Sequence, residues 1–294
     1  MTELLRRYGW SLTLLFLGLT GFWLLILVAF PYFTLFEHSF RPYLPANEIG
    51  GAKDVYSFSN YATFFKSPIY LTVFWRTVLY SSFVTAISLV VSYPIAYFLA
   101  KIARPDKTWQ LFLLLSIPMW VSETLRSFAW FIILSYQGPL NAGLMAVHLI
   151  SAPVRWLTGY NGVIIGLFYT YVLFMLFPIY NAIQALDTNQ IEAAQDLGAP
   201  AWRIHWRIVI PHSKPGIASG CVMVFMLSAG AIIGPTLLAS PSSRWFTEIV
   251  QQWMFEAQDW NTGSAFAFLL LLLCTVFVTV MLRLFRVRLA DTAR

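Results

Sequence analysis

Apolar positions in this chain run in long unbroken blocks instead of alternating with polar ones. Blocks free of Asp, Glu, Lys and Arg cover 8–36, 77–100, 127–154, 156–186, 215–243 and 260–282. A helix crossing the roughly 30 Å hydrocarbon core of a bilayer needs about 20 such residues, each adding about 1.5 Å. A spanning β-strand would show short segments of alternating polarity; these blocks do not alternate, so a β-barrel is excluded. The block 127–154 contains QGPLNAG, a turn-rich break whose backbone could not lie unpaired against lipid. Six spans are therefore predicted, at about 10–36, 71–101, 109–134, 161–186, 216–240 and 263–286. The third carries Glu123 and Arg126 inside it, and 135–160 is expected to be a loop with a short amphipathic piece. The expected fold is an all-α integral membrane protein, one transmembrane domain over 1–294, with a polar segment at 187–215 between the fourth and fifth spans.

Composition agrees with that class. Apolar residues are 59% of the 294 and charged ones 11%, against roughly 25% charged in a soluble domain. The first block is much longer than a signal-peptide core of roughly 7–15 residues, and no small-x-small site follows it before Pro31, so it reads as an uncleaved first helix. Cys221 and Cys274 both fall inside predicted spans and read as packing residues, not as a disulfide or metal site.

Lys and Arg set the orientation. With both termini inside, the inner set is Arg6, Arg7, Lys101, Arg104, Lys107, Arg203, Arg207, Lys214, Arg283, Arg286, Arg288 and Arg294, twelve of the 19. Cytoplasmic termini are therefore expected, and the formal charge of +6 expresses topology and gives no indication of nucleic-acid binding. The polar segment 187–215 then faces the cytoplasm.

Within that segment, Asp187 or Thr188 suits the N-cap of a helix through Gln190–Leu197, with Glu192 in its first turns, where negative charge is favoured. Gly198 is a natural C-terminal stop because it tolerates positive φ. Pro200 suits the first turn of a second short helix, and Pro211 and Pro215 are expected to end it before the next span. Trp202, Arg203, Trp206 and Arg207 suit the headgroup boundary; Asp196 and Arg203 read as solvated loop charges, and His205 and His212 as solvated. Read from the residues alone, the segment is either an interfacial linker or a docking surface for another protein, Ala193 and Ala194 supplying a face that permits close approach.

The spacing adds to this. Glu192-Ala193-Ala194, three residues, Gly198, nine residues, then Ile208-Val209-Ile210-Pro211 resembles the EAA signature of ABC importer permeases, departing only at Ile210, where Leu is usual. The stretches FSNYATFF, PIYLTVFWRTVLYSSFVTAISLVVSYPIAYFLA, PMWVSETLRSFAW, PIYNA and IVQQWMFEAQDWNTGSAFA are similar to the permeases of the spermidine/putrescine group. Two departures are Glu123, where a small polar residue is usual, and DWNTG in place of Asp-Trp-Pro-Phe-Gly. The resemblance implies the type I importer permease fold, with the polar segment as a coupling helix that docks on an ATP-binding subunit. Glu192, Ala193, Ala194, Gly198, Ile208 and Pro211 are its implied coupling residues. It further implies a bacterial inner-membrane location and, as partners, the lipid bilayer, a second and different permease chain, two ATP-binding subunits and an extracytoplasmic solute-binding protein. ATP and magnesium would belong to the ATPase, with no cofactor in this chain.

An isolated charge at mid-bilayer costs about 2.5–3.5 kcal/mol on insertion scales, so Glu123 and Arg126 should face protein, water or a partner. Spaced i,i+3, they read either as a self-neutralising pair near the outer end of the helix or as a lining of the translocation path where Glu123 meets a cationic amine. Trp120, Tyr169 and Tyr171 are candidate cation–π partners along that path. Glu248, Glu256 and Asp259 give the loop 241–260 a small negative excess that suits either a cationic substrate or solubility. No GxxxxGK[ST], HExxH or GxSxG is present, which argues against an ATPase, a zinc protease or a serine hydrolase. The expected function is transport and not catalysis, and the resemblance implies a polyamine as the solute. Alternatives are a permease for another small solute (amino-acid-like, opine, sulfate or iron) and a stand-alone secondary transporter, which should tolerate loss of Glu192 or Gly198.

Overall fold

A computed structural model describes residues 2–45, 48, 50–240 and 242–285. Arg286, Arg288 and Arg294 of the expected inner charge set, and residue 286 at the end of the last expected span, lie outside the described residues, as do the side chains of Arg6 and Arg7. The described residues are helical with no strand. In chain order the α-helices are α1 (Thr2–Leu24), α2 (Phe30–Phe40), α3 (Ser59–Lys66), α4 (Pro68–Tyr97), α5 (Pro105–Ser116), α6 (Glu123–Ile133), α7 (Pro139–Ala146), α8 (Asn161–Gln184), α9 (Thr188–Asp196), α10 (Ala201–Ile204), α11 (Ile210–Ala229), α12 (Ile233–Leu238), α13 (Phe246–Gln251) and α14 (Trp260–Phe285). Wide π turns at Leu25–Ala29, Phe98–Ile102 and His205–Val209 connect or extend them. Among the described residues, five helical stretches are long and apolar enough to cross a membrane: Gly9–Phe40, Pro68–Ile102, Asn161–Gln184, Ala201–Ala229 and Trp260–Phe285.

The third expected span differs. Asp106–Trp120 and Glu123–Ile133 meet at 90°, so a sixth crossing exists only if this broken pair counts as one. The cause is local: Pro118 sits in a 3-10 turn, Val121 and Ser122 are extended, and the Ser122 hydroxyl caps α6 by accepting from the Leu125 N–H at 3.3 Å. Glu123 thus opens a helix instead of lying inside one. A second difference concerns Pro211 and Pro215. They do not end the helix, which runs continuously over Ala201–Ala229. A proline ring clashes with the carbonyl four residues back in a regular α-helix; here the π turn at His205–Val209 widens the ladder just before Pro211. That helix stops at Gly230, before the expected end at 240, and α12 follows separately.

The chain divides into two compact units, residues 1–67 with 250–269 and residues 68–249 with 270–294. In the first unit, α1 and α2 display apolar side chains outward, and only 6% of the best apolar window of Gly9–Phe40 is buried. Such a surface belongs in hydrocarbon or against another helix. Beyond α2 the chain is tied down by polar contacts. Arg41 bridges Glu37 (2.6 Å) and Asp54 (2.9 Å), and Asn60 donates to the carbonyls of Ser39 and Arg41. The DWNTG stretch proves to be a helix start: the Asp259 carboxylate accepts from the N–H groups of Asn261 and Thr262 and from the Thr262 hydroxyl. Asn261 then donates to the carbonyls of Arg41 (2.9 Å) and Pro42 (3.0 Å).

In the second unit, α4, α8 and α11 pack around a core that includes Val84, Leu167, Met175, Ile179, Ile183 and Val224. The α8–α11 crossing is set by glycine. A Cβ on Gly216 would lie 2.6 Å from the Ala182 Cβ and closer still to the Pro178 carbonyl oxygen, and one on Gly220 would lie 2.7 Å from the Met175 sulfur. Two small residues four apart let helix backbones approach closely, and in lipid that packing supplies the association energy. Helix α4 turns a polar stripe inward, Thr77, Ser81, Thr85, Ser88 and Ser92, all buried. Ser92 donates to the Val172 carbonyl of α8 at 3.2 Å. The loop between α6 and α8 is organised by Asn141, which is 1% exposed. Its amide donates to the carbonyls of Tyr136 and Val154 and accepts from the Val154 N–H and the Trp156 indole.

Candidate functional site

The polar segment folds as its capping residues dictate. Asp187 is the N-cap of α9, its carboxylate accepting from the Asn189 N–H at 3.0 Å. At the other end Gly198 adopts φ +71°. Its N–H donates to the Gln195 carbonyl at 2.8 Å, and the Ala199 N–H donates to Ala194 at 3.0 Å. These are the two bonds of a Schellman motif, which requires a left-handed residue at this position. Pro200 then caps α10 in extended conformation.

Burial divides the residues in EAA spacing. Ile191 and Ile204 anchor the two short helices at 5% and 4% exposure. Ala194 and Ile208 are half-buried and pack against the core of the second unit. Glu192, Ala193, Gly198 and Pro211 are exposed. Among the described residues the Glu192 side chain has no hydrogen-bond or ion-pair partner within the chain. Leu197, which local patterning did not single out, stands at the tip of the turn with 88% of its surface exposed. Trp202 and Trp206 are exposed as expected of headgroup residues, and the Arg203 guanidinium lies 5.4 Å over the Trp202 ring.

His205 is not solvated. It is half-buried, its Nδ1 is 2.8 Å from the Tyr93 hydroxyl, and its ring meets Tyr97 edge-on at 4.5 Å. At the opposite end of the segment, Lys101 Nζ donates to the carbonyl of Leu186 and, at 3.4 Å, to the Thr188 hydroxyl. The Lys101 amine thus meets the C-terminal end of α8, where carbonyls lack partners within the helix. Neither contact was visible in the sequence, since 85 and 112 residues separate the partners.

On the other polar feature, the self-neutralising pair does not form. The Tyr171 hydroxyl donates to Glu123 Oε1 at 2.9 Å, and Arg126 Nη1 donates to the Thr170 carbonyl at 3.4 Å. The break before α6 directs both residues at α8, which offers each a nearer partner. Arg126 Nε is buried without a hydrogen-bond partner. The first turn of α6 also favours the Glu123 charge. Tyr169 sits apart from this group, its ring edge-on to Trp130 at 5.2 Å, and Trp120 is 86% exposed. Of the five path candidates the structure therefore brings three together: Glu123, Arg126 and Tyr171.

Two of the three acids in 241–260, Glu248 and Asp259, have structural tasks. Glu248 accepts from the Trp245 N–H at 2.7 Å at the start of α13, and burial pushes its carboxyl above the usual range. Asp259 caps α14. Cys221 and Cys274 are buried free thiols, and no group of three or more His, Cys, Asp or Glu among the described residues could hold a metal ion.

Three comparisons bear on this arrangement. Residues 92–291 match the family described as the binding-protein-dependent transport system inner membrane component. The chain is 32% identical to the spermidine/putrescine transport system permease protein PotB of Haemophilus influenzae, over 76% of this chain and 78% of that one. It is 32% identical to PotB of Escherichia coli K12, over 83% and 86%. Its fold superposes with a TM-score of 0.74 on a chain of a bacterial alginate ABC transporter solved in complex with an alginate pentasaccharide-bound periplasmic protein, at 17% identity, covering 95% and 94%. The chain therefore belongs to the inner-membrane permease components of binding-protein-dependent ABC importers, and is a transport subunit and not an enzyme.

Proposed function

We propose that this chain forms half of the translocation path for a polyamine of the spermidine/putrescine class and is driven through α9 and α10 by a separate ATPase. The observation that carries the substrate reading is the 32% identity over 83% of the chain to a spermidine/putrescine permease. The coupling reading is supported by the exposed Glu192, Ala193 and Gly198 in EAA spacing, with Ala194 and Ile208 turned toward the core and Pro211 at the root of the fifth span. The partners are a second, different permease chain, two ATP-binding subunits that bind ATP and magnesium, and a solute-binding protein on the outer side. The charge asymmetry of Lys and Arg supports cytoplasmic termini, an orientation in which 187–215 would face the ATPase. Closing of the ATPase pair would move the α9–α10 segment, and the helix bundles of the two permeases would open alternately to each side.

In the path, Glu123 supplies a carboxylate that a primary ammonium could approach, positioned by the Tyr171 hydroxyl. Arg126 braces α6 on α8 and sets the opposing charge, and Trp120 and Tyr169 offer ring faces farther along.

Two measurements test this. In proteoliposomes, the assembled complex should hydrolyse ATP faster when its binding protein carries spermidine or putrescine; stimulation only by another solute would keep the permease reading and end the polyamine one. Glu123→Gln keeps an acceptor for Tyr171 and removes the charge. It should raise the apparent KM for spermidine about tenfold or more, the scale of a charge-assisted hydrogen bond. An unchanged KM would remove Glu123 from the path.

A further inference from the structure

The α9–turn–α10 segment is fastened to α4 at both of its ends. Where it begins, Lys101 holds the Leu186 carbonyl and the Thr188 hydroxyl. Where it ends, the His205 ring is bonded to the Tyr93 hydroxyl and lies edge-on to Tyr97. Tyr93, Tyr97 and Lys101 follow one another at four-residue spacing, so they stack along one side of the last turns of α4 and the π turn that extends it.

Covalent continuity joins α9 to α8 and α10 to α11, but nothing in the nearby sequence joins either to α4. Movement of the exposed turn therefore reaches α8 and α11 through the backbone and reaches α4 through these side chains and packing. Helix α4 packs on both α8 and α11 and carries the buried polar stripe from Thr77 to Ser92. A bundle in which α4 lagged behind α8 and α11 would have to shear along that stripe, separating Ser92 from the Val172 carbonyl.

We propose that residues 93–101 are a strut that carries displacement of the coupling segment into α4, with Lys101 and the Tyr93–His205 bond as its two attachment points. In this proposal Lys101, Tyr93 and His205 are positioning residues, acting through the contacts they make within the chain. The proposal rests on the coupling role assigned to α9 and α10 above.

The test uses the whole complex with its ATPase and loaded binding protein in proteoliposomes, measuring ATP hydrolysed and solute taken up in the same vesicles. Lys101→Met and Tyr93→Phe should assemble, keep hydrolysis within about twofold, and lower uptake per ATP about fivefold or more, the usual scale of a coupling term. Lys101→Arg, which keeps the charged donor, should restore most of the loss. Because Tyr93 and His205 lose the same bond, Tyr93→Phe combined with His205→Ala should be no worse than the poorer single variant. Tyr93→Phe deletes one oxygen and keeps the ring, so it carries the test if Lys101→Met disturbs assembly. Uptake and hydrolysis falling in proportion, or uptake per ATP unchanged, overturns the strut. A wild-type complex whose hydrolysis is indifferent to the binding protein overturns the coupling role beneath it, and that result is read before any variant is made.

Discussion

Replacing Gly216 with leucine is expected to abolish recovery of folded, monodisperse protein from the membrane. The α8 backbone passes so close to Gly216 that even one added carbon meets the Ala182 Cβ at 2.6 Å and the Pro178 carbonyl nearer still. Neither neighbour is the free end of a flexible side chain, so the helices themselves must separate. The cost of overpacking is typically about 1–3 kcal/mol and occasionally more, and here it acts on the crossing that closes the core around Ile179 and Ile183. Gly216→Ala should survive but lower the thermal midpoint of the purified protein. Gly143→Ala is the control: its Cβ would meet nothing within 4 Å, and alanine suits a helix interior better than glycine. Equal midpoints for the two alanine variants would show that the close crossing is absent.

The second large effect is expected at Gly198, and it separates folding from function. Its φ of +71° lies in the left-handed region, while open space surrounds its position. A side chain there would strain the backbone without colliding with anything. Left-handed conformation costs an L-residue about 1–2 kcal/mol, and a β-branched one suffers most. Gly198→Val should therefore leave the helix bundle and its assembly intact but open the Schellman turn and move Leu197 and α10 relative to α9. Uptake should fall about tenfold or more at a strain of that size, with hydrolysis no longer raised by the loaded binding protein. Glu192→Ala should act in the same direction, since that exposed carboxylate has no partner within the described chain. Uptake that survives both substitutions would favour a carrier working without an ATPase.

These two glycines mark the division between what local sequence shows and what it hides. Gly198 was legible because its reason is local: it follows a capped helix, and the positive φ is needed only by the turn it closes. The same holds for Asp187 as N-cap. Gly216 carries no such mark, because its reason is a helix more than thirty residues earlier in the chain. His205 was misread as solvated for the same cause. A histidine in a polar stretch looks exposed until a tyrosine 112 residues away is found beside it. Pro211 was misread as a helix end because the rule for proline presumes regular α geometry, which the π turn at His205–Val209 relaxes; Pro215 lies inside α11, and the helix runs on through it.

The sequence by itself determined the class of the protein, since blocks of twenty and more uncharged apolar residues have few stable settings outside a bilayer. It determined the family through the EAA spacing, and the caps of α9 through residues within four positions of each other. The tertiary structure alone decided which helix Glu123 and Arg126 face, how the third expected span bends by 90°, and what holds the polar segment 187–215 to α4. The physical reason is range. Caps, turns and hydropathy act over a few residues and are written where they act. A charge buried in a bundle takes the nearest partner the packing offers, and that partner is fixed only once the helices have met.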